Sequence, residues 1–357
     1  MQQTSLVAIL CVLSICLNAQ TRDCFDLSYE EGLTTTSPLS SLQNYTVFFL
    51  GESHFVGSND LMDFALLTHL NRTQQLRHFI KEGAYSYIFM LAQNIETSDP
   101  YYLDLNSVRE EREFIEQLAA FNKSVPKDQQ IRLYGIDSEP FYHLSIMLDA
   151  LVYKHGNPPK PVFEVFEILK SFQAKQWTSF ISKKEKNEIK EIWERVRPIV
   201  TQNEKIFKEY LKDDWIHLMM VIDNPATTKR SENQLLDNFL KLQKLTDAKK
   251  FYFSYGSLHA QKNGGWLAAL INKTDLYRGK VFSTNTIYHN STLLWQDEYV
   301  PVNSFEKNKE EEIAKMLSTF DGCDFDFGFL STEGLSYEGV YDLLFLTRNQ
   351  KGITVEE

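Results

Sequence analysis

The chain has 357 residues, 43% of them hydrophobic and 24% charged, which is enough apolar material for one large α/β domain. Its 48 acidic residues against 37 basic ones leave a formal net charge of -11, and no basic block interrupts that balance. Such a surface repels nucleic acid and anionic lipid, so neither is an expected partner, and a small-molecule substrate is compatible with it.

The first twenty residues contain no Asp, Glu, Lys or Arg, and residues 6–17 form an apolar stretch too short to cross a bilayer, followed by Asn18-Ala19-Gln20. This predicts an export signal over residues 1–20, removed near Ala19 or Gln20, and a periplasmic or extracellular mature chain without a transmembrane span. Leu13-Ser14-Ile15-Cys16 faintly resembles a lipoprotein box, but Ile15 is a poor residue before a lipidated Cys, so cleavage is preferred over a lipid anchor. Signal removal takes Cys11 and Cys16 and leaves Cys24 and Cys323, which either pair or stand as two free buried thiols. Asn-x-Ser/Thr sites begin at Asn44, Asn71, Asn122, Asn272 and Asn290.

Strand-like apolar runs then alternate with helical spacing. Residues 45–50, 76–82, 131–137, 250–255, 280–284 and 341–347 read as strands; 324–330, with Phe325, Phe327 and Phe329 alternating, reads as a half-exposed strand toward an edge. Between the first two runs, Leu61, Phe64, Ala65 and Thr68 give helical spacing over 60–70. Strand, helix, strand in this rhythm predicts an α/β fold with a mostly parallel central sheet flanked by helices. A rival parse runs that helix on to Lys81 and makes 85–91 the second strand, which moves Glu82 away from a strand top.

From 161 to 245 the pattern changes to long amphipathic helices. Val162, Val165, Phe166, Leu169 and Phe172 follow one helical face, and Ile189, Ile192, Trp193 and Val196 another, after a capping box at Ser182 and Glu185. This predicts a helical insert over 161–245 leaning as a lid over the sheet's ligand end, between α/β core segments 21–160 and 246–357. Its edges are the Pro-rich turn at 157–161 and the break Asp223-Asn224-Pro225.

Three of the strand runs break into polar motifs: Gly51-Glu52-Ser53-His54, Lys81-Glu82-Gly83 and Gly256-Ser257-Leu258-His259. Ligands of parallel α/β sheets sit at the carboxyl ends of the strands, and a carboxylate or imidazole placed there must be hydrogen-bonded, paired or metal-bound. The structural alternative is that each residue merely caps a helix N-terminus. Taken together, Glu52, His54, Glu82 and His259 are expected to converge on one pocket, while His69, His78, His143, His217 and His289 lack matching acid spacing and read as surface or core residues.

In that order, and with Tyr134-Gly135-Ile136-Asp137 between the second and last motifs, the chain resembles a divergent member of the erythromycin esterase-like superfamily, which also takes in haem-binding iron-regulated lipoproteins. The resemblance runs from about residue 45 to residue 259. Leu50 to His54 is similar to the family's strand followed by Gly-Glu and a His, spaced Glu-x-His where macrolide esterases have Glu-x-x-His. Glu82 stands in the place of the family's second Glu. His259 matches its late His, with Ser257 where Asn is common, and Arg230 lies near a helix start where the family often carries Arg.

The resemblance implies an exported hydrolase of an ester or lactone. His54 would be the base for water, Glu52 or Glu82 would orient its imidazole, and His259 would face the carbonyl oxygen, with Asp137, Ser257 and Arg230 in supporting positions. The same Glu52, His54, Glu82 and His259 are the residues a divalent metal ion would use. The alternative from another class is a protein that binds haem or another small ligand through His54 or His259 and breaks no bond.

Overall fold

The computed structural model describes residues 24–30, 32–33, 39, 42–99, 108–139, 143–171, 182–225, 230–296, 298–302 and 310–355. The expected export signal with its cleavage site, Cys11, Cys16 and Phe172 lie outside the described residues. Among the described residues no helix is long and apolar enough to cross a membrane.

The strands in chain order are β1 (Cys24–Phe25), β2 (Leu27–Ser28), β3 (Gly32–Leu33), β4 (Val47–Glu52), β5 (His78–Lys81), β6 (Arg132–Tyr134), β7 (Phe251–Gly256), β8 (Val281–His289), β9 (Ser291–Trp295), β10 (Glu298–Val302), β11 (Phe327–Ser331) and β12 (Leu343–Arg348). Eight of them form one sheet in the order β1-β11-β12-β8-β4-β7-β5-β6, with separate two-stranded ribbons β9-β10 and β2-β3. From β12 to β6 every pairing is parallel; β11 alone runs against its neighbours β12 and β1. The chain goes out from β4 to β5 and β6, returns through β7, and then continues on the other side of β4 with β8, so the direction of winding reverses beside β4. That reversal is where an open parallel sheet leaves a crevice for a ligand.

The helices are α1 (Asn59–Gln74), α2 (Tyr85–Thr97), α3 (Arg109–Ser124), α4 (Leu144–His155), α5 (Lys160–Lys170), α6 (Lys183–Gln202), α7 (Glu204–Leu211), α8 (Trp215–Asp223), α9 (Glu232–Thr246), α10 (Leu267–Lys273) and α11 (Glu310–Leu317). Because side chains alternate across a strand, Phe48 and Leu50 of β4 join one core with α1 and α3, while Val47 and Phe49 join a second core with α4 to α10. The result is a three-layer arrangement, and the helices of 160–246 share a continuous core with one face of the sheet. Ser182 caps α6 as its sequence suggests: its hydroxyl accepts from the Glu185 N–H at 3.2 Å, and its own N–H donates to the Glu185 carboxylate at 2.8 Å.

Several expectations need correction. Residues 85–91 lie in helix α2, with Tyr85, Ile88, Phe89 and Ile95 buried at helical spacing, so the parse that ends β5 at Lys81 holds. The third expected strand stops at Tyr134; just beyond it Gly135 passes so close to Gly83 that a Cβ would lie 2.8 Å from its carbonyl oxygen. Strand β8 runs on to His289, since Asn285 to His289 find partners in β12. Strand β11 begins at Phe327 rather than at 324 and lies toward the edge as expected: Phe327 and Phe329 are buried, Phe325 is exposed, and only the two-residue β1 pairs outside it, with Phe327 and Gly328. The β9-β10 hairpin was not foreseen, for Trp295 pairs directly with Glu298 across a turn that lacks the glycine by which such turns are read.

Cys24 and Cys323 form a disulfide across a sequence separation of 299, tying β1 to the loop before β11. Of the Asn-x-Ser/Thr sites, Asn71 and Asn122 are buried, and the Asn122 amide brackets residue 131, donating to its carbonyl at 2.9 Å and accepting from its N–H at 2.8 Å.

Candidate active site

Each charged residue of the site sits where an element ends. Glu52 is the last residue of β4, His54 lies two residues on, Glu82 follows β5, and Asp137 lies beyond β6, bridged to Ala84. His259 follows β7, and its N–H donates to the Gly256 carbonyl at 2.9 Å. Ser231 caps α9 by accepting from the Gln234 N–H, and this brings Arg230 and Glu232, on either side of it, to the sheet. The strands need little room here: a Cβ on Gly256 would lie 3.2 Å from the His54 ring and 3.5 Å from the Glu82 carboxylate.

His54 stands between two carboxylates. Its Nδ1 is 3.1 Å from Glu52 Oε1 and its Nε2 is 3.6 Å from Glu82 Oε2. Glu82 is the hub of what lies behind. It accepts from the Gly256 N–H at 2.7 Å and from Arg230 at 2.7 Å, and His259 Nε2 is 3.7 Å away. Arg230 also donates to Asp137 at 3.1 Å, while His259 Nδ1 lies 2.9 Å from Glu232, which in turn accepts the Leu267 N–H at 2.8 Å. The His54 side chain is 46% exposed and Arg230 35%, so the cluster opens to solvent on the His54 side.

The electrostatics follow from these neighbours. The hydrogen bond to Glu52, with the charges of Glu52 and Glu82, outweighs partial burial and raises His54 to about 9. Burial pushes the Glu82 carboxyl up, but Arg230, His54 and the Gly256 N–H together hold it below its ordinary value. Burial pushes Asp137 up against the pull of Arg230.

The loop that carries His54 is fixed from below. Tyr288 donates to Asn59 Oδ1 at 2.6 Å, the Ser53 N–H donates to the Tyr288 oxygen at 3.2 Å, and Asn59 donates back to the Ser53 carbonyl at 2.8 Å. Gly51 must be small for β4 to reach this point: a Cβ would lie 3.0 Å from both Ala260 and the Asn285 side-chain oxygen.

Glu52, His54, Glu82 and His259 are thus neighbours in one place, together with Asp137 and Arg230. Ser257 takes part through its backbone: its N–H donates to the Glu52 carbonyl and its own carbonyl accepts from the Tyr341 hydroxyl at 2.8 Å. As placed, the residues expected for a metal ion are engaged with one another and with Glu232 and Arg230. Both nitrogens of His54 and both of His259 already face carboxylate oxygens, and among the described residues no group of three or more His, Cys, Asp or Glu side chains is arranged to hold an ion. Glu232, the partner of His259, went unnoticed in the sequence, although an acid in the first turn after a capping Ser231 marks the kind of helix start that can aim a carboxylate. His217, read as a surface or core residue, is half-buried and bonded to the Tyr85 hydroxyl at 2.7 Å.

No protein-family profile matches the chain, and no curated protein sequence matches it. Solved structures do match. A Bacillus cereus protein aligns over 94% of this chain and 96% of its own at a TM-score of 0.66 and 13% identity. A succinoglycan biosynthesis protein aligns over the same shares at 0.64 and 16%. A variant of erythromycin esterase EreC, in its open conformation, aligns over 93% of this chain and 96% of its own at 0.63 and 10%. The fold is erythromycin esterase-like over nearly the whole described chain.

Proposed function

We propose that the protein is an exported hydrolase that cleaves an ester or lactone by His54-assisted attack of water. The observation that carries this reading is the clamp on His54, a solvent-open imidazole with a carboxylate at each nitrogen and a guanidinium behind one of them. Water beside His54 gives up its proton to the ring as its oxygen bonds to the carbonyl carbon, and Glu52 and Glu82 stabilise the imidazolium that forms. Arg230 and His259, on the far side of Glu82, are the groups able to face the developing oxyanion. When the tetrahedral intermediate collapses, His54 returns the proton to the leaving alcohol. Asp137 holds Arg230, and Glu232 holds His259, so each cation has a fixed partner. In this reading the helices of 161–245 act as a lid, supplying Arg230 and Glu232 from one end.

A raised His54 makes a strong base that is mostly protonated at neutral pH: with a value of about 9, about 1% of it is free at pH 7. Activity should therefore climb with pH toward about 9. The shared fold with erythromycin esterase supports a hydrolase, and the disulfide supports export to an oxidising compartment. A panel of esters and lactones assayed between pH 6 and 10 tests the reaction. Hydrolysis that rises through alkaline pH is expected, and a panel without turnover at any pH would sink it. Mass spectrometry of the mature N-terminus tests export, with a start near residue 20 expected and retained Met1 counting against it.

A further inference from the structure

Beside His54 the surface changes character. Phe55 and Trp295 are 45% and 54% exposed, and their rings are neighbours in succession from the imidazole: 6.1 Å separates the centroids of His54 and Phe55, and 6.4 Å those of Phe55 and Trp295. Neighbouring exposed aromatics next to a candidate catalytic group are costly to leave in water and mark a place where apolar matter is received.

The backbone beneath them is held to an unusual shape. Phe55 has φ +66°, a left-handed conformation that a bulky residue rarely adopts and keeps only where its surroundings impose it. They do so here from two directions. The Phe55 carbonyl accepts from Leu294 N–H of β9 at 3.2 Å and from the Ile353 N–H of the C-terminal tail at 3.0 Å. On the next residues, Val56 bridges Gly352, and the Gly57 N–H donates to the Lys351 carbonyl at 2.8 Å. The tail threads so tightly under the hairpin that a Cβ on Gly352 would lie 2.5 Å from Leu294 N. On the hairpin, Trp295 lies on the same face as Leu293, which packs on the core, and Tyr299 is tied to the Ile353 carbonyl at 3.2 Å. Both rings are presented on fixed backbone.

We infer that Phe55 and Trp295 form an aromatic platform that binds a flat, ring-bearing alcohol arm of the substrate ester. This rests on the hydrolase reading. The arm is assigned by the proton's path: His54 returns its proton to the leaving alcohol, so the alcohol oxygen is the substrate atom beside that ring, and whatever it bears extends over Phe55. The carbonyl oxygen points the other way, toward Arg230 and His259.

The test compares 2-naphthylmethyl acetate with ethyl acetate, and separately measures calorimetric binding of N-(2-naphthylmethyl)acetamide, the amide isostere. In Trp295→Ala the ratio of kcat/KM for the naphthylmethyl over the ethyl ester should fall about tenfold and the Kd for the amide should rise at least fivefold. Trp295→Phe should recover most of both. Phe55→Gly, which suits the left-handed backbone, should act like Trp295→Ala. Esters cleaved with ratio and Kd within twofold of the parent in both variants would overturn the platform and leave the hydrolase reading intact. Amide bound through Trp295 with neither ester cleaved would uphold the platform as a binding site and count against hydrolysis.

Discussion

On the sheet face that carries α1 and α3, Lys81 reaches Asp60 at 2.7 Å and Glu111 at 3.7 Å, Tyr87 donates to Glu111, and Tyr252 donates to Asp63 at 2.7 Å. One residue later in the chain, on the opposite face, Glu82 gathers His54, Arg230 and His259. Both clusters lie at the carboxyl end of the same strands, and both mix several acids with fewer cations. They differ in what they leave open. The Lys81 side chain is 16% exposed and is held well above its ordinary value because Asp60, Glu111, Asp63 and, last among them, Glu52 outweigh its burial. The second cluster exposes nearly half of an imidazole and a third of a guanidinium. A closed ionic cluster contributes to the fold, whereas an open one with a titratable ring at its mouth can exchange protons with a ligand.

The largest effect should come from breaking the closed cluster. Lys81→Met leaves Asp60 and Glu111 without their cation, and should cost about 3 to 5 kcal/mol of stability in denaturant unfolding, with kcat per folded molecule changed little. A loss of activity as large as the loss of stability would merge the two clusters. Next, His54→Ala should lower turnover about a hundredfold, which is about 2.7 kcal/mol on the barrier, with the melting temperature near the parent's because His54 is half-exposed. Undiminished turnover in that variant would move the chemistry elsewhere.

How much of this was legible beforehand follows from the kind of signal each part leaves. The central strands are written as short apolar runs, and the residues that end them, Glu52, His54, Glu82 and His259, can be read off because a polar residue after a buried strand has one place to go. Arg230 was carried by the resemblance alone and Glu232 was missed: both lie some twenty residues before β7, and the tertiary packing of α9 decides that they meet Glu82 and His259. The platform was out of reach for another reason. Phe55 and Trp295 meet through a hairpin with no glycine in its visible turn signal and a tail whose register depends on the fit of Gly352. Strand β8 was read as ending at Thr284, whereas in the sheet Asn285 to His289 pair with β12.

The two remaining tests use pH, where the clusters should part again. Glu52 is the main cause of the raised His54. In Glu52→Gln the rising limb of the rate against pH should shift from about 9 toward the ordinary imidazole value of about 6.5, with turnover at high pH reduced as the imidazolium loses a partner. An unmoved limb would mean that another group carries the titration.

The last effect concerns Asp63 in the closed cluster, and it appears in stability alone. Burial raises its carboxyl to about 7, against an ordinary 3.8, and its Oδ2 has no hydrogen-bond partner. A group raised in the folded state favours folding below its unfolded value and loses that contribution as pH rises through its folded value. The parent should therefore lose stability from this residue between about pH 4 and pH 7, and Asp63→Asn, which cannot ionise, should not. The measurement is the melting temperature of both proteins across that range. The difference between them should shift in favour of the variant by a few degrees as pH rises. A constant difference would show that Asp63 keeps the same charge in the folded and unfolded chain, and that the closed cluster accommodates a carboxylate as readily as the open one does.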